Sequence, residues 1–126
     1  MRCVDHKTFM MLPVGTFYAK GAQWAFDELQ VKQENVGEYD WYAQSFNSVD
    51  GNDGGEVIDR LEEMLAKGAS YPMDWSVCRE GEYKFDEKYV FLIFERDDLL
   101  KIRECIDVAL ALPIDIDGSV ERKAIR

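Results

Sequence analysis

Gly15-Thr16-Phe17-Tyr18-Ala19-Lys20, Phe26-Asp27-Glu28-Leu29-Gln30-Val31-Lys32 and Tyr39-Asp40-Trp41-Tyr42-Ala43-Gln44-Ser45-Phe46 follow one another, separated by Gly21-Ala22 and by the turn-forming Asn35-Val36-Gly37. The first two stretches carry β-prone residues, and the third, poor in β-branched residues, is rich in aromatics, which also pack well on a pleated surface. Short turns join antiparallel neighbours, so the run from 15 to 46 predicts a three-stranded meander. In its second stretch, Leu29 and Val31 alternate onto one face. What covers that sheet decides the fold class.

Helices are predicted on both sides of the meander. Asp5 is placed to cap a short helix through Thr8-Phe9-Met10-Met11-Leu12, which Pro13-Val14-Gly15 ends. After the turn-rich Asp50-Gly51-Asn52-Asp53-Gly54-Gly55-Glu56, the residues Val57, Ile58, Leu61, Met64 and Leu65 recur as one helical face. Asp53 and Glu56 stand as in a capping box, and Gly68 is the expected stop. Tyr71 to Cys78 alternates as a strand, Glu80-Gly81-Glu82 turns, and Tyr89-Val90-Phe91-Leu92-Ile93-Phe94 reads as a strand buried on both faces. Asp97 or Asp98 then caps a second long helix carrying Leu99, Leu100, Ile102, Ile106, Ala109 and Leu110, which Pro113 ends. The expected fold is α+β, an antiparallel sheet of about five strands packed against two main helices. It forms a single domain over residues 1–112, with 113–126 as a C-terminal tail or arm.

Composition narrows the function. The 126 residues are 47% apolar, enough for one core, and the 25 acidic residues against 15 basic ones give a net charge of −10. That balance opposes general affinity for a phosphate backbone, so no direct nucleic-acid binding is expected. A local anion site remains open to a few convergent cations. The longest apolar run is far shorter than the ~20 residues of a membrane span, and no signal-peptide pattern opens the chain, so a soluble, cytoplasmic protein is expected. Cys3, Cys78 and Cys105 form no metal-binding or disulfide pattern and read as buried, reduced thiols.

Chemistry-bearing motifs are scarce. Read as a calcium loop from Asp50, the glycine-rich run puts Gly54 at one ligand position and Leu61 where the bidentate glutamate belongs. No Lys-Ser/Thr pair follows Gly55, which removes a phosphate loop. What remains is a cap whose amides at Gly54 and Gly55 could hold an anion. The single histidine, His6, has no recognisable nucleophile, and the pairs Asp97-Asp98, Glu62-Glu63 and Asp115 with Asp117 lie in segments suited to solvated charge. No catalytic residue, metal or cofactor is expected. Seven Phe, six Tyr and three Trp exceed what so small a core consumes. Some rings near turns, among them Tyr39, Trp41, Tyr71, Trp75, Tyr83 and Phe85, are therefore candidates to stack on a ligand.

The order Thr8-Phe9-Met10-Met11-Leu12-Pro13-Val14-Gly15-Thr16-Phe17-Tyr18-Ala19-Lys20, then Phe26 to Lys32, Asp50 to Glu56 and Tyr71-Pro72-Met73-Asp74, resembles a widespread group of small phage and prophage proteins. Phe85-Asp86-Glu87, ahead of a strand and a final helix, completes the pattern. Within that group the chain looks like the first Thoeris anti-defence family, phage sponges that sequester cyclic ADP-ribose signals. The likeness spans residues 5 to 112.

The resemblance implies a protein of the bacterial host's cytoplasm that binds without catalysing. Its ligand would be glycocyclic ADP-ribose, held between protomers of a homo-oligomer, a dimer or a hexamer built from dimers, with cyclic oligonucleotides as further ligands at a second type of site. The family uses aromatic stacking and arginine contacts, but Trp75 to Phe85 and the tail after Leu112 depart from its pattern. Ligand positions therefore do not transfer residue by residue, and the expected site rests on physical grounds. Tyr71, Trp75 and Phe85 supply rings for a base, Arg96, Lys101 and Arg103 supply cations for a diphosphate, and Gly54 and Gly55 supply amides. A competing reading takes the acidity itself as the functional element, in a DNA mimic that blocks a host defence nuclease.

Overall fold

The computed structural model describes residues 1–22, 25–81 and 89–112. In chain order the elements are β1 (Arg2–Asp5), α1 (His6–Met10), β2 (Phe17–Ala22), β3 (Ala25–Phe26), β4 (Gln30–Val36), β5 (Asp40–Gln44), α2 (Gly54–Lys67), β6 (Val77–Gly81), β7 (Tyr89–Ile93) and α3 (Arg96–Ala111). The α+β expectation holds, with seven strands among the described residues where the sequence suggested about five. The contacts gather into two compact units, one of Met1–Asn47 with Asp74–Arg96 and one of Ser48–Met73 with the chain from Asp97 onward.

The first unit contains the whole sheet, in the order β1-β7-β2-β4-β5-β6, with β3 folding back onto β2. Every pairing is antiparallel, so residues opposite each other share a face. Val4 faces Phe91, Phe91 faces Lys20, Tyr18 faces Gln30, Lys32 faces Ala43, and Trp41 faces Glu80. One surface of the sheet therefore carries all of these side chains. Helix α1 lies on that surface through Phe9, whose ring centre is 4.1 Å from Phe91, 4.6 Å from Tyr18 and 5.0 Å from Trp41. Phe9, Tyr18, Trp41, Ala43 and Phe91 form the buried core. Burying one such ring contributes about 1.5–3 kcal/mol.

Local chemistry explains why α1 is short. The Asp5 carboxylate accepts a 2.8 Å hydrogen bond from the Thr8 amide at its start. Beyond it, Thr16 Oγ1 donates to the Pro13 carbonyl at 2.8 Å, and the chain turns into β2.

Three strand expectations are corrected. Phe26 to Lys32 is not one strand: β3 ends at Phe26, and the ladder resumes at Gln30. Within β4 the core side belongs to Gln30 and Lys32, both buried, whereas Val31 is half-buried on the opposite face. Tyr71 to Cys78 is mostly not strand, because Asp74 Oδ1 captures the Ser76 amide (2.9 Å) and hydroxyl (2.6 Å), and regular pairing begins only at Val77. A side chain that satisfies its own backbone competes with the ladder in this way.

The second unit is organised by α2. Asp53 caps it, accepting from the Glu56 amide at 2.8 Å, and Gly68 ends it in a left-handed conformation (φ 67°) while donating to the Met64 carbonyl. Only glycine adopts that conformation without penalty. Val49 and Met73 form an isolated bridge beside it, and the Asp50 amide donates to the Pro72 carbonyl at 2.8 Å. Helix α3 has Asp97 and Asp98 in its first turn, where negative charge suits the helix dipole. Lys101 pairs with Glu104 at 3.2 Å. Among the described residues no helix is long and apolar enough to cross a membrane. The three cysteines are free and exposed, where buried ones were expected: Cys3 faces away from the core beside Val4, Cys78 stands on β6, the last strand in the described order, and Cys105 lies on α3. Phe85, Tyr83, Asp115, Asp117 and the 113–126 tail lie outside the described residues.

Candidate functional site

On the core face of the sheet, beside the aromatic cluster, the side chains turn polar and enclose a cavity of about 240 Å³ lined by Lys20, Asp27, Glu28, Gln30 and Glu80. All five belong to the first unit. Period-two alternation brings Lys20 to the cavity, two residues beyond core Tyr18 on β2. Gln30 begins β4 opposite Tyr18, and Glu80 sits on β6 opposite Trp41. Asp27 and Glu28 occupy the break between β3 and β4, with the Asp27 amide anchored on the Lys20 carbonyl at 2.8 Å. The misread strand break therefore supplies two of the cavity's carboxylates.

A directional hydrogen-bond chain connects core and cavity. Trp41 Nε1 donates to Tyr18 Oη at 2.7 Å, and Tyr18 Oη donates to Gln30 Oε1 at 2.9 Å. Gln30 Nε2 then donates to Ser45 Oγ (2.8 Å) and Glu80 Oε1 (3.2 Å). Tryptophan only donates, so each later group has one allowed role, and the orientation of the Gln30 amide follows. Burial raises the Tyr18 phenol far above its ordinary range, and the charges of Glu80 and Glu28 push the same way against the Trp41 hydrogen bond. Tyr18 therefore stays protonated and keeps its place as a donor.

Lys20 Nζ donates to the Gly81 carbonyl at 3.1 Å and lies 4.3 Å above the centre of the Tyr89 ring. Glu28 Oε2 accepts from Asn47 Nδ2 at 2.6 Å. Among the described residues the lining thus contains three carboxylates and one ammonium, with no serine, cysteine or histidine. Such a site can accept hydrogen bonds from a bound molecule and offer it one cation. Among the described residues, no three His, Cys, Asp or Glu side chains are placed to hold a metal ion.

A second polar group lies deeper in the same face. Lys32 is 1% exposed, donates to Asn35 Oδ1 at 2.7 Å, and lies 5.7 Å from the centre of the Phe9 ring. Burial lowers its pKa. A bulge in the β4–β5 pairing, where the register jumps between Lys32 and Asn35, sets Asn35 in reach of it.

The site residues expected from sequence are divided between the units. Trp75 and Arg96 belong to the first, and Gly54, Gly55, Tyr71, Lys101 and Arg103 to the second. Trp75 is 66% exposed and meets Phe46 edge to face at 6.3 Å. The Tyr71 hydroxyl donates to Glu63 at 2.7 Å, while Arg60 sits 4.9 Å over its ring. At Gly54 and Gly55 the first turn of α2 faces the Asp53 carboxylate, which already fills the place of an anion. Arg96 opens α3, and Lys101 and Arg103 follow on it. None of these residues lines the described cavity.

Sequence reasoning missed Lys20, Asp27, Glu28, Gln30 and Glu80 as a group. The available signal was Gln30 and Lys32, polar residues at alternate positions of a strand whose neighbours are aromatic. Comparison with protein-family models, curated proteins and solved structures finds no match to this chain.

Proposed function

We propose that this chain is a non-enzymatic binding protein that captures a small nucleotide-type signal in the Lys20–Glu80 cavity without cleaving it. The observation that carries the reading is the cavity itself: its polar groups are fixed by neighbouring hydrogen bonds, and among the described residues its lining offers no serine, cysteine or histidine to attack a substrate. The resemblance to the Thoeris anti-defence sponges supports the specific form, sequestration of a cyclic ADP-ribose signal in the cytoplasm of a phage-infected bacterium. At about 240 Å³ the cavity is smaller than the ~300 Å³ at which sites for drug-sized ligands begin, so it would enclose part of such a molecule. The remainder would fall to a second copy, as in a dimer or hexamer.

The test is to incubate the purified protein with cyclic ADP-ribose isomers, remove free ligand, denature by heat and analyse the released material by mass spectrometry. Intact ligand released only on denaturation is the expected result. Chemically altered ligand would make the protein an enzyme. Absence of released ligand would put the acidic DNA-mimic reading in its place, with inhibition of a host nuclease as its direct assay.

A further inference from the structure

We infer that the Lys20–Glu80 cavity takes the uncharged, hydrogen-bond-donating end of its ligand, a sugar diol or an exocyclic amine, and keeps any phosphate outside. This rests on the capture reading above and follows from counting donors and acceptors. Gln30, only 8% exposed, has its oxygen occupied by Tyr18 and its two amide hydrogens by Ser45 and Glu80, so it offers a ligand no donor. Lys20 has committed one hydrogen to Gly81 and lies over the face of Tyr89, which leaves two hydrogens for a neutral acceptor on the ligand.

Acceptors, in contrast, are in surplus. Glu28 and Glu80 each have one oxygen committed, to Asn47 and Gln30. Among the described residues the Asp27 carboxylate has no hydrogen-bond or ion-pair partner. The acids are not gathered as a metal site would need, so they suit donors spread across one molecule. Carboxylates recognise ribose hydroxyls in this manner, whereas three of them around the one ammonium among the described lining residues repel a phosphate.

The test uses the intact chain with adenosine and with adenosine monophosphate, measured by isothermal titration at low and high ionic strength. Adenosine should bind at least roughly tenfold more tightly than the monophosphate at low salt, and screening should narrow the gap at high salt. Asp27→Asn should weaken adenosine binding and strengthen monophosphate binding, opposite signs that a loss of folding cannot produce. Tighter binding of the monophosphate would overturn the inference and leave capture standing. If neither compound binds, capture at this cavity fails along with it.

Discussion

Replacing Tyr18 by Phe removes one oxygen from the middle of the Trp41–Tyr18–Gln30 chain and leaves the ring in place. Tyr18 and Trp41 are 0% exposed and Gln30 is 8% exposed, so water cannot take over the lost bonds without opening the core. Two groups are then orphaned, the Trp41 indole N–H and the Gln30 carbonyl oxygen. Each buried, unpaired polar group costs about 1–3 kcal/mol. Because the two share one partner, their costs are not additive, and the expected loss is about 2–4 kcal/mol. That is a large share of the ~5–15 kcal/mol holding a typical domain together. For a chain of this size it lowers Tm by about 10 °C. Urea unfolding followed by tryptophan fluorescence measures it, with the midpoint falling and the slope unchanged. Adding Gln30→Leu to Tyr18→Phe removes one orphan, so the double variant should lose less than the sum of the singles. A Tyr18→Phe variant within about 0.5 kcal/mol of the parent would refute the reasoning, because that is the cost of an ordinary surface change.

Alkaline pH should probe the same hydroxyl. The folded state holds the Tyr18 proton well above the ~10 of a free phenol, so above that pH the unfolded chain binds fewer protons and stability falls as pH rises. The decline, read from urea midpoints, should be shallower in Tyr18→Phe; equal slopes would remove the phenol as its cause. Lys32 carries the opposite sign: burial lowers its pKa, so between that lowered value and ~10.4 the unfolded chain binds more protons and stability rises with pH. Lys32→Met should abolish this rise and be about 1–2 kcal/mol more stable at neutral pH, since a buried charge with no counter-ion among the described residues disappears and exposed Asn35 can turn to water. Calorimetric scans across pH decide this, and a less stable Met variant would mean that the ammonium contributes net stability. Gly21→Ala should destabilise by about 1–3 kcal/mol, because the added carbon meets the Ala25 carbonyl and comes within 2.6 Å of the Phe26 ring. Unchanged thermal stability would show that β3 does not press on β2.

The features legible in the sequence are those decided by neighbours a few residues away. Asp5, Asp53 and Gly68 act at helix ends through contacts three or four residues distant, and all three serve where expected. Strand β1 escaped notice because Arg2-Cys3-Val4-Asp5 becomes a strand by pairing with β7, almost ninety positions on. The Gln30 face was misassigned for a related reason. Hydrophobicity alone put Leu29 and Val31 inward, but Tyr18 faces Gln30 across the ladder and carries it to the core side. Tolerance of a polar pair there depends on partners that no local pattern reveals, namely Ser45, Glu80 and Asn35. The cavity inherits the same illegibility, since Lys20 and Glu80 meet only because β2, β4, β5 and β6 lie in one sheet.

The cavity's position follows from a mismatch of lengths. Helix α1 has five residues and spans about 7.5 Å, whereas the six residues of β2 run for about 20 Å. A helix that short covers only part of the strands it crosses, and Phe9 marks the covered part, over Tyr18, Trp41 and Phe91. Farther along the same face the residues change character, with Lys20 following Tyr18 on β2 and Glu80 opposite Trp41 on β6. Apolar side chains there would have formed an exposed sticky surface; polar ones form a walled cavity tied to the core through Gln30. The signals that end α1, Pro13 and the turn held by Thr16, therefore also determine where the aromatic core stops.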